Sequence, residues 1–78
     1  MYLNVSAGAA EISIEADSES GIRKECSIVA DYLSMHCPDQ VLCIRGNGGE
    51  RVIPCDVDRR VSRACEAAAE LFTQEGSS

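Results

Sequence analysis

Five cysteines and a single histidine are the residues of this chain best equipped for chemistry: Cys26, Cys37, Cys43, Cys55, Cys65 and His36. A thiolate is both nucleophile and metal ligand, and an imidazole can act as its base if the two lie within hydrogen-bond reach. His36 and Cys37 are adjacent, and neighbouring side chains on a helix diverge by about 100°, so they do not form such a pair. His36 reads instead as a helix-end residue whose charge suits the dipole. A dithiol redox centre would show Cys-x-x-Cys, which this sequence lacks. His36, Cys37, Cys43 and Cys55 could supply four zinc ligands, but their separations do not give the closely spaced pairs of structural zinc sites. Cys26, Cys37 and Cys65 fall on apolar stripes, where a free cysteine packs as a small hydrophobe. The expectation is therefore no catalytic residue, no cofactor and no metal. A thiol- or metal-dependent protein using Cys37, Cys43 and Cys55 is the alternative.

The segment Gly46-Asn47-Gly48-Gly49 between Arg45 and Arg51 has the glycines of a phosphate-cradling loop. It lacks the Lys-Ser/Thr end of such a loop and does not open a helix, so it reads as a hairpin turn.

Thirteen acidic residues against seven basic ones give a formal charge of −6 over 78 residues. That field repels phosphate and favours basic partners, and with no Trp, one Phe and two Tyr there is little to stack on bases. Direct nucleic-acid binding is not expected. No apolar run approaches the ~20 residues that span a bilayer, and the amino terminus does not have the pattern of a signal peptide. Together with an odd cysteine count, this points to free thiols in a cytoplasmic protein.

The elements that would position any site follow from periodicity. Leu3 and Val5 share one face of a first strand. A second strand alternates Ala10, Ile12, Ile14 and Ala16 inward with Glu11, Ser13, Glu15 and Asp17 outward, the pattern of a sheet wet on one side. Ala7-Gly8 joins the two as a hairpin. Ser18 or Ser20 caps a helix whose buried stripe is Ile22, Cys26, Val29, Leu33 and Cys37, and Pro38 ends it. The continuous run Val41–Ile44 reads as a central strand. Val52-Ile53 begins a fourth, and Pro54 marks it as ending or lying on an edge. Asp56 or Asp58 is expected to cap a last helix carrying Val57, Val61, Ala64, Cys65, Ala68, Leu71 and Phe72. The order β-β-α-β-β-α predicts a two-layer α+β sandwich, a four-stranded, mainly antiparallel sheet with both helices on one face. One domain spans residues 1–75, followed by a frayed tail at 76–78.

Three surfaces are candidates for binding. Glu11, Glu15 and Asp17 project together from the second strand, and Glu19 extends the row if the chain stays extended. Same-face neighbours lie about 7 Å apart, near the spacing of phosphates along a nucleic-acid strand. Ile28, Tyr32 and Met35 form a second apolar stripe on the first helix, suited to a partner, a symmetric dimer or further packing. Arg59, Arg60 and Arg63 cluster at the start of the last helix, where local pairing with Asp56, Asp58 or Glu66 would offset their clash with the dipole.

These features point to a small acidic, non-enzymatic binding protein, an inhibitor or adaptor docking on a larger, partly basic, nucleic-acid-handling partner. In kind, though in no stretch of sequence, it is similar to phage-encoded inhibitors such as anti-CRISPR proteins. A structural homodimer is a further alternative.

Overall fold

The computed structural model describes residues 2–47 and 49–76, with side chains through Thr73. Two strands, β1 (Tyr2–Ala7) and β2 (Ala10–Glu15), precede helix α1 (Glu19–His36). Strands β3 (Leu42–Gly46) and β4 (Gly49–Ile53) then lead to helix α2 (Arg60–Gly76). The strands form one antiparallel sheet in the order β2-β1-β3-β4. This is the α+β architecture and element order that periodicity predicts.

Each hairpin turns where glycine permits it. Ala7 pairs with Ala10, leaving Gly8 and Ala9 as the loop, and Gly8 takes a φ of 63° that a side chain would resist. In the second hairpin Gly46 pairs with Gly49, whose φ of 142° is open to glycine alone. Gly48, expected from the sequence to lie in this turn, is outside the described residues.

The helices cover one sheet face. Leu3, Val5, Ala7, Ile14, Leu42, Ile44 and Ile53 meet Ile22, Cys26, Val29, Ala30 and Leu33 of α1 and Ala64, Ala67, Ala68 and Leu71 of α2. No polar or charged residue is buried in this core among the described residues. α1 lies over β2 and β1, and α2 over β4 and β3, so β2 and α1 share one side of the molecule.

Ser18 caps α1, its hydroxyl accepting the Gly21 N–H at 3.1 Å, and the helix stops at Cys37 before Pro38. Four points differ from the sequence reading. Val41 precedes β3 and is exposed, and Cys43 faces away from the helices, so the run Val41–Ile44 is apolar without being buried on both sides. The fourth strand starts at Gly49, three residues before Val52. Neither Asp56 nor Asp58 is the residue at the start of α2; the Arg59 carbonyl accepts the first helical N–H, from Arg63, with Arg59 at a φ of 55°. α2 runs on through Gly76, the first residue assigned to the tail, while Ser77 and Ser78 lie outside the described residues.

Candidate functional site

The uncovered sheet face carries the alternate residues of each strand: Tyr2, Asn4 and Ser6 from β1, Glu11, Ser13 and Glu15 from β2, Cys43 and Arg45 from β3, Glu50 and Val52 from β4. Its polar groups are cross-linked in pairs. Ser13 donates to the Asn4 side-chain oxygen at 2.6 Å, and Arg45 meets Glu50 at 3.0 Å. Glu15 stands opposite Tyr2 across the strands, and its carboxylate raises the phenol above its ordinary range. Cys43 is raised chiefly by burial and by Glu50. A thiol held protonated in this way is a poor nucleophile at neutral pH.

The predicted acidic row is only partly assembled. Glu11 and Glu15 stand on the open face of edge strand β2, opposite Ser6 and Tyr2. Ser13 lies between them, so they are about 13 Å apart along the strand rather than one phosphate spacing. β2 ends at Glu15, and exposed Asp17 follows in the bend before α1. Glu19 leaves the row altogether: the chain does not stay extended, and Glu19 opens α1, where it pairs with Arg23 at 3.8 Å. An unbroken file of four carboxylates is therefore not formed. Neither Glu11 nor Asp17 takes part in an ion pair among the described residues.

The apolar stripe is open. Ile28 is 58% exposed, Tyr32 53% and Met35 70%, so they do not pack beneath α2 or the sheet edge. The Tyr32 ring packs against His36 one turn later, tilted by 42° with ring centroids 4.4 Å apart. The direction of the stripe follows from Cys26, whose sulfur touches the Ala64 carbonyl and so points at α2. At 100° per residue, Ile28, Tyr32 and Met35 lie about 200°, 240° and 180° around the helix from Cys26. They occupy the flank of α1 turned away from α2, on the side where β2 runs as the free edge. The acidic strand and the apolar stripe thus border one continuous rim.

The expected ion pairs of the arginine cluster with Asp56, Asp58 or Glu66 do not form among the described residues; Arg60 and Arg63 bond to backbone carbonyls instead. Arg60 reaches back from the start of α2 to the end of α1, donating to Pro38 O at 3.0 Å, Gln40 O at 2.5 Å and Cys37 O at 3.5 Å. Arg63 donates to the Asp58 carbonyl at 3.1 Å. Sequence pattern does not disclose this use of Arg60, because its partners lie about twenty residues upstream. Arg51 meets Glu70 at 3.6 Å.

The groups considered for catalysis or metal binding are dispersed. His36 and Cys37 close α1, Cys43 lies on the open sheet face and exposed Cys55 follows β4. No three His, Cys, Asp or Glu side chains converge as metal ligands would among the described residues. A depression of about 440 Å³ is an open trough lined by Glu19, Arg23, Glu66, Ala69, Glu70 and Thr73. It contains neither a cysteine nor a histidine. No helix among the described residues is long and apolar enough to cross a membrane.

Compared with known protein families, curated proteins and solved structures, the chain matches none of them.

Proposed function

We propose that this chain is a non-enzymatic protein-binding domain, an inhibitor or adaptor, that docks the rim formed by β2 and α1 on a larger protein with a basic surface. One observation carries the reading: the free acidic edge of the sheet and the exposed stripe Ile28-Tyr32-Met35 lie on the same side of the molecule. Three large apolar side chains left in water at helical spacing are a cost to a domain with so small a core, and covering them on association would recover it. Glu11, Glu15 and Asp17 beside them, with the net charge of −6, would steer and orient a basic partner. A partner that handles nucleic acid has such a surface, and a small acidic competitor for it acts in the manner of phage-encoded inhibitors such as anti-CRISPR proteins.

Charge also argues against a second copy as the occupant. A two-fold axis through Ser13 that paired β2 with itself would set Glu11 opposite Glu15, and like charges directly opposed weaken a sheet pair. The test is affinity capture from the native host by the unaltered chain, Glu11→Lys/Glu15→Lys and Ile28→Ser/Tyr32→Ser. A specific partner should be retained by the first, weakened by both variants and released by salt. A partner held equally by all three would refute the rim as the docking surface. Light scattering that finds a stable dimer dissociated by Tyr32→Ser would favour the homodimer.

A further inference from the structure

The seam between α1 and α2 is built from small side chains: Ala30 on α1, Ala64 and Ala68 on α2, each completely buried. Small residues let helix axes approach to the short end of the usual range. Within this seam two cysteines engage each other's helices reciprocally. Cys26 Sγ donates to the carbonyl of Ala64, the residue before Cys65, at 3.5 Å. Cys65 Sγ donates to the carbonyl of Arg23, one turn before Cys26, also at 3.5 Å. Each sulfur therefore lies at the level of the other's position on the facing helix. The thiols also sense each other: burial first, then Cys65, pushes Cys26 up to about 12. Both are free; Cys26 is fully buried, while Cys65 is half-buried.

The geometry points to a redox modification site, in which Cys26 and Cys65 form a disulfide joining α1 to α2 when the chain meets a disulfide oxidant. Cys65, the sulfur with access to solvent, attacks one sulfur of glutathione disulfide as the thiolate and expels one glutathione thiolate, leaving a mixed disulfide. Cys26 gives its proton to solvent and attacks the Cys65 sulfur, expelling the second glutathione. Two thiols lose two protons and two electrons, and one glutathione disulfide becomes two glutathione molecules. The staple lies on the side of α1 opposite Ile28, Tyr32 and Met35, so it fixes the docking rim from behind without covering it. This inference does not depend on the proposed function.

The test uses the full chain and a Cys37→Ser/Cys43→Ser/Cys55→Ser variant that retains only the seam pair. Both are incubated, folded, with glutathione disulfide at mildly alkaline pH and read by intact mass under non-reducing conditions. The expected product of the variant is a monomer lighter by two hydrogens, restored by dithiothreitol and absent when Cys65 is also changed to Ser. The oxidised form should unfold at higher urea than the reduced one. Accumulation of only the glutathione adduct, only disulfide-linked dimers, or an internal bond that forms in urea but not in the folded protein would overturn it.

Discussion

Arg60 offers the sharpest test of how the helix layer is held. Its guanidinium joins the start of α2 to three carbonyls at and just beyond the end of α1, those of Cys37, Pro38 and Gln40. Arg60→Met keeps the stem and removes every donor. A hydrogen bond to a charged group contributes about 1.5–3 kcal/mol net in favourable cases. Here one contact is long at 3.5 Å and two of the three bonds are exposed, so freed carbonyls can be rehydrated. Loss of a cation from a helix C-terminus adds about 0.3–1 kcal/mol. The Nε is buried without an acceptor, a cost that disappears with the arginine. Together these give a loss of about 2–3 kcal/mol for Arg60→Met. A domain of this size has only about 4–12 kcal/mol in total, and the loss should lower Tm by about 8–24 °C. Arg60→Lys keeps the charge but not the planar fork that spans several acceptors, and should recover no more than about 1 kcal/mol. Urea unfolding followed by circular dichroism measures this directly, and an unchanged m-value would show that stability, not compactness, has moved. A cost below about 0.5 kcal/mol for Arg60→Met, or a lysine variant equal to the parent, would refute the reasoning, since that is the range of an ordinary surface change.

Three further predictions concern the core, the thiols and the open face. Ile28→Ser or Met35→Ser should cost less than about 1 kcal/mol each, because these side chains are more than half exposed, whereas Leu33→Ala in the core should cost about 2–5 kcal/mol in the same urea assay. Cys26, raised from 9.0 to about 12 by burial and by Cys65, stays protonated in the fold at pH values where the unfolded chain has lost that proton. Its contribution is complete below pH 9 and falls away between there and about 12. The slope is about 1.4 kcal/mol per pH unit, which Cys26→Ala should abolish in alkaline denaturation curves. Glu15→Gln should return the Tyr2 phenol toward its ordinary range, followed by NMR titration of the Tyr2 ring; a titration identical to the parent would deny that the Glu15 carboxylate acts on Tyr2.

Much of the fold is legible because most signals are local. The period-two alternation of β2 arises because one face is wet, and the Ser18 cap and Pro38 stop act within a few residues of themselves. The misplaced features are those decided by distant contacts. Hydropathy alone cannot separate a strand covered on both faces from one with an apolar residue on an open face, so Val41 and Cys43 look more central than they are. Asp56 and Asp58 offer ordinary capping chemistry, yet α2 begins after Arg59, whose carbonyl accepts the first helical N–H, and Arg60 is tied to carbonyls just past α1. Glu19 extends the acidic row only if the Ser18 cap is ignored. For Ile28, Tyr32 and Met35, periodicity identifies a second face but not what lies over it. That depends on β1 pairing with β3, which makes β2 an edge and places the bare flank of α1 beside it.

The account rests on the β2–α1 rim being the surface that meets the partner. Amide hydrogen exchange on the chain, alone and bound to the protein captured from its host, addresses this most directly. Slowed exchange should concentrate in Ala10–Glu15 and along the half of α1 that carries Ile28, Tyr32 and Met35. Protection confined to β4 and α2, with β2 and α1 exchanging as in the free chain, would contradict it.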